Sequence, residues 1–146
     1  MNTDENRQGA YARVNELDLY YEIHGSGQPL VLLPGGFMTI EAMREVVPQL
    51  ATARRVIGVE LQGHGHTADI ERPLRFELLA DDIAALIRHL ELEQADLFGF
   101  SLGGGVGLQT ANRHPEVVRK LALTSTPYQK GWLVPRRSRG YGRDER

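Results

Sequence analysis

The sequence predicts an α/β fold, with a mostly parallel sheet and helices on both faces. Three observations carry that reading. Short apolar runs occur at Leu30–Leu33 and Val56–Val59, with further strand candidates at Ala95–Phe100 and Val118–Thr124, and such runs suit strands covered on both faces. A strongly amphipathic stretch spans Phe76–Leu90. Strand-like and helix-like segments alternate along the chain, as a parallel sheet with crossover helices requires.

Taken in order, Tyr11–Asn15 and Leu17–His24 read as two strands joined by a tight turn at Asn15-Glu16. Leu17, Leu19, Tyr21 and Ile23 recur at period two, which gives the second strand one buried face. Gly25-Ser26-Gly27 turns the chain, Pro29 opens the Leu30–Leu33 strand, and Pro34-Gly35-Gly36 stops it. A short helix is expected over about 40–50, kinked or ended by Pro48. The Val56–Val59 strand runs into a loop rich in Gly and His. In the helix over Phe76–Leu90, Leu79, Ile83, Leu86, Ile87 and Leu90 share one face, with Glu77, Asp81 and Arg88 toward water. Ala95–Phe100 is the central strand, Leu102–Arg113 a Gly-rich helix ended before Pro115, and Val118–Thr124 a further strand.

Composition limits what the protein can be. A chain of 146 residues with 41% hydrophobic and 25% charged residues suits one soluble core. With no cysteine, disulfides, cysteine nucleophiles and cysteine metal sites are excluded. The net charge of −2 gives no reason to expect nucleic acid as a partner. No apolar run suits a signal peptide or a membrane span, so no membrane partner and a cytoplasmic location are expected. The charge is split: residues 1–129 hold 11 Lys/Arg against 17 Asp/Glu, and residues 130–146 hold 6 against 2. The expected organisation is a disordered stretch over 1–10, a partial domain over 11–129, and a disordered, basic, out-of-frame tail over 130–146.

The chemistry concentrates at Gly99-Phe100-Ser101-Leu102-Gly103, a G-x-S-x-G pattern with a strand before it and a helix after it. A nucleophile on so sharp a turn sits in strained backbone and projects beyond the sheet. Gly99 and Gly103 are needed because side chains there would collide. The helix N-terminus faces any developing anion, making the Leu102 N–H a natural oxyanion donor. Gly104, Gly105 and Gly107 are expected to let the helix pack closely on the sheet. A different reading takes Gly99-x-x-x-Gly103-x-Gly105 as the phosphate loop of a nucleotide-binding α/β domain. That loop follows the first strand of its fold, however, and a Tyr-x-x-x-Lys pair is absent here.

With Pro34-Gly35-Gly36-Phe37 and Glu60-Leu61-Gln62-Gly63-His64-Gly65 in the same order and spacing, the chain from about Tyr11 to Pro127 resembles the N-terminal half of α/β-hydrolases of the serine-nucleophile esterase, haloperoxidase and C–C hydrolase type. The resemblance implies a truncated hydrolase fold, lacking the cap and the C-terminal strands. It also implies a second oxyanion N–H after the third strand, from Gly36 or, as the alternative, Phe37; proline replaces the usual histidine at Pro34. The family's triad acid and general base follow later strands. His24, His64, His66, His89 and His114 therefore read as structural or solvated, and Asp144 and Glu145 follow no expected strand. Asp81 and Asp82 read as ordinary surface acids, and no metal site is expected because no histidine is spaced to join them.

The function so implied is hydrolysis of a small ester, lactone or related carbonyl compound by Ser101, without a cofactor and impaired by the missing acid and base. Relatives that open epoxides or displace halide place Asp at the elbow, so Ser101 argues against both reactions. The alternative class is a non-catalytic truncated product or binding module. Self-association through an exposed sheet edge is also expected, because the last strand has no later neighbour.

Overall fold

The computed structural model describes residues 8–127, which build one six-stranded sheet. In chain order the strands are β1 (Gln8–Val14), β2 (Leu17–His24), β3 (Gln28–Leu33), β4 (Arg54–Val59), β5 (Ala95–Phe100) and β6 (Val118–Thr124). The helices are α1 (Val47–Ala51), α2 (Phe76–His89) and α3 (Leu102–Arg113). Across the sheet the order is β1-β2-β4-β3-β5-β6. β1, β2 and β4 pair antiparallel, and β4, β3, β5 and β6 pair parallel.

Period-two alternation divides the core into two layers. Val31, Leu33, Ile57 and Val59 face one side of the sheet, where Leu79, Ile83, Leu86 and Ile87 of α2 and Val106 of α3 cover them. Leu32 and Val56 face the other side and pack with Ile40, Met43 and Val47. Strands clothed on both faces explain why β3 and β4 carry no polar side chain over Leu30–Leu33 and Val56–Val59. At 25–30 cal/mol per Å² of apolar surface, each buried Leu or Ile contributes about 2 kcal/mol against chain entropy.

Three expectations need correction. The chain over 40–50 is not one helix. A 3-10 turn covers Ile40–Met43, and α1 begins at Val47 with Pro48 in its first turn. Proline is tolerated there because that N–H has no intrahelical acceptor, so Pro48 opens a helix instead of ending one. β1 starts at Gln8, inside the stretch expected to be disordered, because Gln8–Ala10 continue the ladder opposite Tyr21–Ile23. The expectations for residues 1–7 and 130–146 lie outside the described residues.

The third correction concerns Asp82, which is 1% exposed and no surface acid. Arg72 reaches it through two nitrogens, at 2.6 and 3.2 Å, and the Asn15 amide donates to it at 3.1 Å. Arg72 also donates to Gln62 Oε1, so one network ties the β1–β2 turn, α2 and the loop after β4. Asp81, its neighbour, pairs with Arg113 and His114 across α2 and α3.

A second buried carboxylate, Asp96, sits at the start of β5. It accepts from Arg54 of β4 at 2.6 Å and from Arg119 of β6 at 2.6 and 2.8 Å. Burial works to raise the Asp96 pKa, but the two guanidiniums overcome it and hold the carboxyl below its ordinary range. The lock lies at the amino ends of the parallel strands. Their carboxyl ends are left to the loops.

Candidate active site

The strand order reverses at β3: the chain passes from β3 to β4 on one side, then returns to place β5 on the other. Parallel sheets open a crevice at the carboxyl ends of strands at such a switch point. The loops leaving β3 and β5 therefore emerge side by side, with Leu33 in register with Gly99. One loop carries Pro34–Phe37, the other Ser101.

Ser101 joins β5 to α3 with φ 50° and ψ −117°. That is left-handed backbone, uncommon for a residue with a side chain and held only where its surroundings impose it. The Ser101 N–H donates to the Thr124 carbonyl at the end of β6 (3.0 Å), and the Ser101 carbonyl accepts from Gly104 and Gly105. Its hydroxyl does not cap α3. The turn is tight enough to exclude side chains. A Cβ on Gly99 would lie 2.5 Å from the Gly103 carbonyl oxygen, and one on Gly103 would strike the carbonyls of Leu33 and Pro34. Gly107 faces Leu121 and Leu33 of the sheet. Gly105, by contrast, admits the Phe76 ring of α2, so close packing there is helix to helix.

Leu102 is the first residue of α3, where helix geometry leaves the N–H without an intrahelical acceptor and concentrates partial positive charge. Gly36 lies against it: a Cβ on Gly36 would sit 3.6–3.7 Å from Leu102 side-chain carbons. The two oxyanion candidates thus meet across the crevice. Gly36 and Phe37 form a turn closed by Met38 N–H donating to the Gly35 carbonyl, with Phe37 at φ 61° and its ring fully exposed.

Three histidines are hydrogen-bonded to carboxylates on other parts of the fold. His24 pairs with Glu22, His66 with Glu60 and His114 with Asp81, and His89 is exposed on α2. His64 Nδ1 is 2.9 Å from the Gln62 carbonyl, so that nitrogen carries the proton. Its ring stands 6.4 Å from the Phe37 ring. Among the described residues, no cluster of His, Asp and Glu suits a metal ion.

Glu60 entered the sequence reading only as part of a motif, with no role of its own. It is 2% exposed and accepts from the N–H of His66 (2.5 Å), from His66 Nδ1 (2.9 Å) and from the Ile40 N–H (3.3 Å). One carboxylate thereby ties the loop after β4 to the segment following the Gly36 turn. The signals for it were its place in that motif and its position directly after a buried strand.

A family model described as the alpha/beta hydrolase fold matches residues 28–144. The chain belongs to the α/β-hydrolase family. The match runs through most of the stretch that composition sets apart at 130–146. A 2-hydroxymuconate semialdehyde hydrolase of Pseudomonas sp. (strain CF600) is 41% identical over 106 residues, 68% of this chain and 36% of that protein. A soluble epoxide hydrolase of Corynebacterium sp. (strain C12) is 34% identical over 115 residues, 77% of this chain and 39% of that one. Among solved structures, the enol-lactonase of Burkholderia xenovorans LB400 superposes with a TM-score of 0.76 at 30% identity, covering 80% of this chain and 46% of that one. The chain thus spans less than half the length of these α/β-hydrolases. Among its described residues, no helix is long and apolar enough to cross a membrane.

Proposed function

We propose that this α/β-hydrolase segment carries the nucleophile and oxyanion hole of a serine hydrolase acting on a small ester, lactone or related carbonyl compound. The observation that carries the reading is the backbone at Ser101, strained at φ 50° between β5 and α3, with Gly36 packed against Leu102. In this reading Ser101 Oγ attacks the carbonyl carbon. As the carbonyl oxygen gains charge, the N–H groups of Leu102 and Gly36 hold it; Phe37 is the alternative donor. Placed donors of this kind act without reorganising during the reaction.

The hydroxyl proton needs an acceptor, which the resemblance assigns to a histidine after the last strand of the fold. Among the described residues no histidine is placed beside the Ser101 elbow as its base, so these residues alone are expected to turn substrate over slowly. Serine hydrolases that lose a triad member still keep some rate from the oxyanion hole and binding. An alkyl fluorophosphonate gives a sensitive test. Intact-mass analysis is expected to show one phosphonyl adduct that disappears in Ser101→Ala, with slow hydrolysis of p-nitrophenyl acetate falling in the same variant. Equal labelling and equal rates in both proteins would overturn the reading in favour of a non-catalytic module.

A further inference from the structure

Beside the elbow lies a partly enclosed cavity of about 100 Å³, lined by His64, Leu74, Arg75, Phe76, Leu79 and Leu102. Its walls are almost wholly apolar: Leu79 from inside α2, Phe76 at the first turn of that helix, Leu102 from the first turn of α3, and carbon atoms of His64 and Arg75. We propose that this cavity receives the acyl arm of the substrate and selects a short aliphatic group over an aromatic one. The inference rests on Ser101 being the nucleophile, and adds the substrate class to that reading.

Position is the first argument. Leu102 supplies both the candidate oxyanion N–H and one wall of the cavity, so a carbonyl held by that N–H has its acyl substituent within reach. The opposite wall, His64, is fixed by its bond to the Gln62 carbonyl and stands beside Phe37 at the tip of the Gly36 turn. The cavity is thus framed by the first turn of α3, the start of α2 and the loop after β4, and only Leu102 belongs to both the cavity and the elbow. Chemistry is the second argument. The cavity is only partly enclosed, and its apolar lining offers water few hydrogen-bond partners, so an apolar guest that displaces water is favoured. Volume is the third. An apolar cavity of about 150 Å³ accommodates benzene. At 100 Å³ this one is smaller and suits a chain of roughly two to four carbons.

The test reads occupancy separately from turnover. With leucine methyls labelled in the full chain, 1-butanol is expected to shift the Leu74, Leu79 and Leu102 signals saturably, and benzyl alcohol to do so at least tenfold more weakly. The same shifts are expected in Ser101→Ala, so failure of the nucleophile reading would be seen in the phosphonylation and ester assays alone. Leu79→Phe fills the cavity and should abolish the shifts. Because Leu79 is buried, Leu74→Trp at the exposed rim gives a second block that does not depend on repacking the core. Butanol shifts confined to other leucines, equal binding of benzyl alcohol, or shifts that survive both substitutions in folded protein would each overturn the proposal.

Discussion

A methyl group added at Gly103 would strike the carbonyls of Leu33 and Pro34, neither of which can withdraw without breaking the end of β3. Gly103→Ala is therefore expected to destabilise by about 3 kcal/mol, at the upper end of overpacking costs, as measured by urea unfolding. A control such as Ala111→Gly, on a partly exposed turn of α3, should cost about 1 kcal/mol. Asp82 gives a second residue-level prediction. Asp82→Ala leaves Arg72 without its buried counter-ion and should cost about 3 kcal/mol, whereas Asn15→Ala removes one neutral donor and should cost about 1. Comparable losses from the two substitutions would show that Arg72 is not held chiefly by Asp82. The strained turn at Ser101 was legible because glycines flank it, a strand runs into it and a helix runs out of it. Asp82 and Glu60 were not. Their burial is made possible by partners in loops, Arg72 and His66, and loop conformation leaves no periodic trace in sequence.

The elements that could be placed from sequence are those whose periodicity is complete. β5, α3 and β6 begin and end where the apolar pattern and Pro115 put them, and α2 differs by one residue at its end. The segment over 40–50 was misjudged because apolar spacing persists through a 3-10 turn and a five-residue helix alike. Between elements, Asp96 joins β4, β5 and β6 through Arg54 and Arg119. Its folded pKa is lowered, so the native state binds fewer protons than the unfolded chain near pH 4. The stabilisation is present above the ordinary carboxylate pKa of about 4 and is lost as pH falls through the lower folded value. Urea midpoints should hold down to about pH 4 and then fall, and Asp96→Asn should flatten that fall. Because Arg54 and Arg119 are each about a third exposed and can rehydrate, Asp96→Asn should cost only about 2 kcal/mol at neutral pH. Hydrogen exchange should locate the loss in β6 before β1.

For the whole molecule, the sheet ends at β6 among the described residues, with much of that strand exposed and Leu123 38% exposed. An unpaired, partly apolar edge is a template for strand pairing. Sedimentation velocity on the 146-residue chain is expected to show association that grows with concentration, and Leu123→Lys is expected to reduce it. A single monomeric boundary at high concentration would remove the edge as the cause. The same strand order also has a consequence in time. β3 lies mid-sheet, yet its two neighbours are made far apart: Leu30 pairs with Val56 on one side and with Asp96 on the other. At roughly 5–20 residues per second, the ribosome needs several seconds after making β3 before β5 exists. Through that interval the most apolar strand of the sheet has one flank open. Demand for chaperone during synthesis should therefore peak between the emergence of β3 and that of β5, and fall once the elbow has been translated.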